Sequence, residues 1–145
     1  MEFRRYGDTY YIRMDRGDEI ISSLIDLCSK ENISSCTYSG IGGCGSCRLQ
    51  TFIPETGEFE TSVLEGMLEM ASLTGNIISD EEGRLYSHAH GVFAYKEDGR
   101  HKVAAGHLRS TVVLYTAEIT LTPVPEAGIK RQFDPETGTG FWKFP

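Results

Sequence analysis

One segment of this 145-residue chain has helical periodicity, and strand-like sequence surrounds it on both sides. Apolar residues at positions 20, 21, 24, 25, 27 and 28 fall on one face of a helix. Asp15 or Asp18 can cap the start of this helix, and Asn32 can adopt the left-handed conformation that ends it. Because this is the single clear amphipathic helix, the rest of the core has to come from strands.

Strand-like segments separated by turn motifs account for most of the remaining sequence. They are residues 10–14, 35–39, 47–53, 59–64, 67–78, 85–95, 101–107, 111–122, 129–133 and 141–144. One helix against many hairpin-linked strands predicts an α+β fold with a mainly antiparallel β-sheet. The length fits a single domain over residues 1–145. Trp142 and Phe144 can complete its core or face another subunit.

The charge balance restricts the classes of partner. Fourteen Lys and Arg residues against 21 Asp and Glu residues give a net charge of −7. A field of that sign repels phosphate backbones and argues against nucleic-acid binding. No apolar run approaches the ~20 residues that a membrane span needs, and the first residues lack the apolar segment of a signal peptide. We therefore expect a cytoplasmic protein that does not bind membranes.

Four cysteines lie at positions 28, 36, 44 and 47. Cytoplasmic proteins of this size seldom depend on disulfides. Cys28 lies in the helical segment, where we expect a small core residue. Cys44 and Cys47 have the spacing of a metal knuckle, but no second pair follows. Cys36 would bring the number of cysteine ligands to three, and a structural zinc site requires four. Strand-like sequence after the motif also argues against a redox CxxC, so we expect packing roles.

Three histidines lie on two segments that a short turn joins. His88 and His90 are two residues apart on a predicted strand, so they share a face. Asp98-Gly99 has the sequence of a two-residue hairpin turn, and the resulting register places His90 opposite His107. The same register places His88 opposite Arg109. Opposed Cβ atoms lie ~4.5–5.5 Å apart, close enough for three imidazoles to converge on one ion.

Imidazole is a preferred ligand of zinc, nickel, copper and iron, and three imidazoles leave a coordination position open. The register therefore predicts a divalent metal site, with zinc as the first expectation and nickel or iron able to satisfy the same ligands. The alternative is that three half-buried histidines only donate hydrogen bonds. His101 lies about six residues along the strand from His107 and is too distant to join them.

A glycine-rich string, Gly40-Ile41-Gly42-Gly43-Cys44-Gly45, has the form of the dinucleotide-binding motif. That motif requires a helix to begin at the string, whereas strand-like residues follow here. We therefore expect the glycines to permit a tight turn and close packing between strands or subunits.

Glu65 and Glu69 are candidates for a catalytic base. They are four residues apart on a predicted strand and so share a face. Either carboxylate can act as a base beside a metal-bound water, although solvated carboxylates on an exposed face are the commoner case.

The order of motifs along the chain resembles the PPC ("plants and prokaryotes conserved") domain. The motifs are Ser39-Gly40-Ile41-Gly42, Pro54-Glu55-Thr56-Gly57, the segment from Leu68 to Asn76, His88-Ala89-His90 and Gly106-His107-Leu108. The match runs from about Tyr10 to Gly138. The resemblance implies a compact α+β subunit with an antiparallel sheet, assembled as a homotrimer. In prokaryotic members the three histidines bind a metal, often zinc, which implies ligand roles for His88, His90 and His107.

The family name also suggests DNA binding, because plant members carry an AT-hook. The sequence contains no AT-hook, and its net negative charge argues against DNA binding. The fold also resembles that of acetolactate decarboxylase, a three-histidine zinc enzyme. If the site is catalytic, Arg109, predicted opposite His88, can hold a substrate carboxylate bidentately, and a surface or interface ion pair is its alternative role.

The first hypothesis is therefore a cytoplasmic PPC-domain homotrimer with one three-histidine metal site in each subunit. The second is a metal-dependent lyase or hydrolase acting on a small acidic molecule, with Glu65, Glu69 and Arg109 as candidate catalytic residues. The third is a DNA-binding or regulatory protein. The metal's identity, the substrate and any partner protein stay open at this point.

Overall fold

A computed structural model describes residues 1–125, 128–137 and 139–145. Within these residues the elements are β1 (Glu2–Tyr6), β2 (Thr9–Asp15), α1 (Ile20–Lys30), β3 (Ser35–Ile53), β4 (Glu58–Ser79), β5 (Leu85–Glu97), β6 (Arg100–Pro123), β7 (Lys130–Asp134) and β8 (Thr139–Lys143). The predicted α+β class, with one principal helix and a mainly antiparallel sheet, is confirmed. Gly138, the predicted end of the family-like region, lies outside the described residues.

The main sheet has the strand order β1-β2-β6-β3-β4-β5, and β5 pairs a second time with β6. All of these pairings are antiparallel. The four long strands β3, β4, β5 and β6 therefore form a closed circuit of hydrogen-bonded neighbours, which brings the β5–β6 hairpin beside β3 and β4. The strands β7 and β8 form a separate hairpin. No helix in the described ranges is long and apolar enough to cross a membrane.

Several predicted segments are parts of longer strands. Residues 35–39 and 47–53 both belong to β3, which continues through the glycine string without a tight turn, so that part of the prediction is wrong. The predicted close packing is confirmed. A Cβ on Gly40 would lie 2.6 Å from the carbonyl oxygen of Glu118, and one on Gly42 would lie 2.6 Å from Cβ of Ala117. The backbones of β3 and β6 approach here because the side chains are absent.

The helix begins after a cap that the sequence analysis did not identify. The Glu19 carboxylate accepts hydrogen bonds from the backbone N–H groups of Ile21 (3.2 Å) and Ser22 (2.7 Å), so the predicted caps Asp15 and Asp18 are wrong. Glu19 also accepts a bond from the backbone N–H of Thr111 at 3.0 Å, which ties the helix start to β6. Asp15 and Asp18 instead pair with the N-terminal ammonium group at 3.3 and 2.8 Å.

One hydrophobic core lies between the helix and the sheet. Helix residues Ile20, Leu24, Leu27 and Cys28 are fully buried in it, and each large apolar side chain contributes about 1.5–3 kcal/mol relative to exposure. All four cysteines are buried and unpaired by disulfides, which confirms their packing roles. The left-handed helix end is also confirmed, with φ of 57° at Asn32.

The C-terminal aromatics do not complete this core. Trp142 is 51% exposed and Phe144 is 64% exposed, and their rings contact each other at a centroid distance of 6.3 Å.

Candidate metal centre

The β5–β6 hairpin has the turn that its sequence predicts. Asp98 and Gly99 have φ of 51° and 73°, as a type I′ turn requires. The ladder then runs from the turn to the pair of His90 and His107, as predicted. Two-residue alternation places His88 on the same side of β5 as His90.

The predicted pairing of His88 with Arg109 is wrong. The described β5–β6 ladder ends at His90 and His107. Beyond that point His88 pairs with Asn76 of β4. On β6 a register shift against β3 leaves Arg109 as an extra residue between Leu108 and Ser110. This bulge interrupts the ladder between β6 and β3 at Arg109.

The three imidazoles nevertheless meet. Each of His88, His90 and His107 offers a nitrogen atom, and these atoms all lie within 4.8 Å of one another. The ring centroids are 5.5 Å apart for His88 and His90, 5.1 Å for His88 and His107, and 5.6 Å for His90 and His107. A tetrahedral zinc ion with Zn–N bonds of ~2.0–2.1 Å separates its ligand nitrogens by about 3.4 Å. Small side-chain rotations close that difference, so the residues fit a metal ion.

The electrostatics favour the neutral imidazole at His88 and His107. Burial, followed by the charges of His88, His90, Arg109 and Arg131, lowers the pKa of His107 to about 4. The pKa of His88 is also lowered, first by burial and then by His90 and Arg131. A neutral imidazole presents the lone pair that a metal needs, so the site is ready for a cation near neutral pH.

A cavity of about 720 Å³ opens beside the histidines, and Arg109 is among the residues that line it. Glu65 and Glu69 are not among the described residues that line this cavity. Both are exposed, and Glu69 pairs with Gly43 and Ala94. A register shift between β3 and β4 beside Glu65 breaks the strict alternation on which their shared face depended.

Arg131 is a cavity residue that the sequence analysis did not assign to the site. It lies on β7, and its guanidinium carbon is 5.1 Å from the centroid of the Tyr86 ring. Two contacts attach the open end of the hairpin to the end of β4 and the turn that follows it: Lys130 donates a hydrogen bond to Ser79 Oγ at 3.1 Å, and Lys143 pairs with Glu81 at 3.0 Å. No sequence signal revealed this contact, because β7 and β8 pair with each other and not with the sheet that carries the histidines.

A known protein family matches most of the chain. The family described as the Plants and Prokaryotes Conserved (PCC) domain matches residues 1–125, which confirms the predicted resemblance. No curated protein matches the chain at a significant level.

Solved structures from bacteria and archaea have the same fold. A candidate DNA-binding protein from Bacteroides thetaiotaomicron is 27% identical, with a TM-score of 0.89 over 99% of this chain and 96% of that chain. A plant- and prokaryote-conserved protein from Pyrococcus horikoshii is 28% identical, with a TM-score of 0.84 over 99% and 94%. A protein from Archaeoglobus fulgidus described as metal-containing is 27% identical, with a TM-score of 0.82 over 98% and 96%.

Acetolactate decarboxylase from Bacillus subtilis is a more distant structural neighbour. It is 12% identical, with a TM-score of 0.55 over 79% of this chain and 52% of that chain. The predicted likeness is therefore confirmed for the fold, and at this identity it extends no further.

Proposed function

The chain belongs to the Plants and Prokaryotes Conserved domain family, and from this premise we propose that it is a metal-binding protein whose His88, His90 and His107 hold one divalent ion in each subunit. The observation that carries the proposal is the approach of three imidazole nitrogens to within 4.8 Å of one another. Imidazole nitrogens at that spacing have few better partners than a transition metal. The metal-containing relative from Archaeoglobus fulgidus supports the same function.

We propose zinc as the ion. Three imidazoles suit zinc, and a site with three protein ligands leaves a fourth position for water or a substrate atom. Nickel and iron also accept three imidazoles, so metal analysis has to separate these ions. When bound, the ion would supply a Lewis acid at the wall of the cavity, and Arg109 would orient an anionic molecule there.

We also propose that the chain assembles as a homotrimer in the cytoplasm. The family resemblance suggests the trimer, and the sheet leaves large apolar side chains exposed that a neighbouring copy can cover. Tyr11, Ile41 and Tyr115 are 54%, 57% and 67% exposed on the strands β2, β3 and β6. The four free cysteines suit a reducing compartment.

The cavity beside the histidines favours a second candidate function, a metal-dependent lyase or hydrolase that acts on a small acidic molecule. Such an enzyme needs an open coordination position, and this cluster faces a cavity that can admit a substrate. DNA binding has no comparable support, because the net charge of −7 opposes a phosphate backbone.

Inductively coupled plasma mass spectrometry tests the metal site. We expect about one metal per chain in protein purified without a tag or chelator, and loss of that metal in a His90→Ala, His107→Ala double variant. His101→Ala is the matched control, because His101 is exposed and pairs with Lys96 outside the cluster. No metal in the native protein after zinc is offered would contradict the proposal. Light scattering should give a mass close to three times 16.1 kDa.

A further inference from the structure

Two arginines share the cavity with the three histidines. Arg109 reaches it from the bulge in β6, and Arg131 reaches it from β7, on the separate hairpin. The region that matches the family ends at residue 125, so the hairpin that carries Arg131 lies beyond it.

Neither guanidinium has a carboxylate partner in the described part of the chain. The ion pairs found there involve other arginines, including Arg4, Arg13 and Arg84. No Asp or Glu is among the described residues that line the cavity. In a chain whose net charge is −7, two unpaired arginines beside three imidazoles form a local field of the opposite sign.

Contacts hold Arg131 in position before any ligand arrives. Its guanidinium lies over the face of Tyr86, an arrangement that leaves the N–H groups at its edge free to donate. Gly140 on β8 makes room for it, because a Cβ there would lie 2.5 Å from Nε of Arg131. An arginine fixed in this way loses little conformational entropy when it binds an anion.

Three phenylalanines supply the aromatic part of the cavity lining, beside polar and small residues such as Gln50, Ser87 and Gly106. Phe52, Phe59 and Phe133 line it and are 45%, 46% and 66% exposed. The Phe59 ring lies 6.3 Å from the His107 ring and 5.4 Å from the Phe52 ring, so an apolar surface adjoins the imidazole cluster directly. Exposed rings beside a few polar groups are typical of a small-molecule site.

We propose that this cavity binds a small organic carboxylate with an apolar body, whose carboxylate is held by Arg131 and Arg109. This proposal names the class of ligand that the proposed metal centre would take, and it therefore rests on the proposed metal-binding function. The arginines provide a planar set of donors that matches a carboxylate, and the aromatic walls accommodate its apolar body. Zinc at the histidines would add positive charge to the same cavity.

Isothermal titration calorimetry on zinc-loaded and metal-free protein tests the proposal. The probes are phthalate, benzoate, uncharged benzamide and sulfate. We expect phthalate and benzoate to bind, and Arg131→Gln and Arg109→Gln each to weaken that binding by about tenfold or more, as the loss of a charge-assisted contact implies. Arg131→Lys should restore part of the affinity. Arg100→Gln, at the β5–β6 turn and outside the cavity, is the matched control and should bind as the native protein does.

The outcomes separate this inference from the proposed function. Zinc bound at the histidines, with phthalate affinity unchanged in both arginine variants, would overturn the inference and leave the metal site intact. Arginine-dependent phthalate binding by a protein that takes up no zinc when zinc is offered would support the inference and contradict the metal site. Benzamide or sulfate binding as tightly as phthalate would overturn the assignment to an apolar carboxylate. Circular dichroism of each variant establishes that the fold is retained.

Discussion

Two glycines of β3 allow a matched test of why the glycine string is present. A Cβ on Gly42 would lie 2.6 Å from Cβ and 2.7 Å from Cα of Ala117, and 2.7 Å from the carbonyl oxygen of Thr116. A Cβ on Gly45 would meet nothing nearer than Cβ of Leu114, at 3.5 Å. Neither glycine has a positive φ, so alanine changes packing and not backbone strain at these positions.

The two substitutions are expected to change the free energy of unfolding in opposite directions. Overpacking of a filled interior costs about 1–3 kcal/mol, and replacing glycine with alanine recovers about 0.4–1 kcal/mol by restricting the unfolded chain. The atoms that a Cβ on Gly42 would meet include backbone atoms, which cannot rotate away. We therefore expect Gly42→Ala to lower the free energy of unfolding by about 2 kcal/mol. For a chain of this size that loss lowers Tm by roughly 4–8 °C. Gly45→Ala should keep the native Tm or raise it slightly.

Thermal and urea unfolding at one protein concentration measure both variants, because any assembly makes Tm depend on concentration. If Gly42→Ala proves as stable as Gly45→Ala, close approach of the β3 and β6 backbones is not the reason for glycine at position 42. The close-packing interpretation of the string would then be refuted.

Two further predictions concern the histidines and the cysteines. The folded protein holds the pKa of His107 at about 4, below the ordinary 6.5 of an unfolded chain, so metal-free protein should lose stability as pH falls from about 6.5 towards 4. Urea unfolding across that range should show a smaller loss in His107→Gln, and an equal loss would contradict the lowered pKa. Because Cys44 and Cys47 are buried in the core, a Cys44→Ala, Cys47→Ala double variant should keep the zinc content of the native protein by mass spectrometry. Loss of zinc in that variant while it remains folded would make the cysteines ligands after all.

Local signals predicted the parts of the fold that depend on neighbouring residues. The Asp98-Gly99 turn determines the register of β5 against β6, and that register alone brings His90 opposite His107. The periodicity of residues 20–28 likewise predicts the buried face of the helix. In both cases the interacting residues are close in sequence or joined by one short turn.

Local sequence patterns did not predict the contacts between distant segments. The bulge at Arg109 lies just beyond the last β5–β6 pair, in the ladder between β6 and β3, and no local pattern in the sequence encodes it. Arg131 reaches the cavity on a separate hairpin, and the Glu19 carboxylate that caps the helix also accepts a hydrogen bond from Thr111, 92 residues away. The nearby carboxylates of Asp15 and Asp18 were better matches by residue type alone.

X-ray absorption spectroscopy at the zinc edge of the zinc-loaded protein identifies the atoms bound to the ion. We expect about three imidazole nitrogens at ~2.0–2.1 Å, and their multiple-scattering signature should disappear in the His90→Ala, His107→Ala variant. A sulfur shell at ~2.3 Å, or a zinc signal without imidazole, would contradict the three-histidine metal centre.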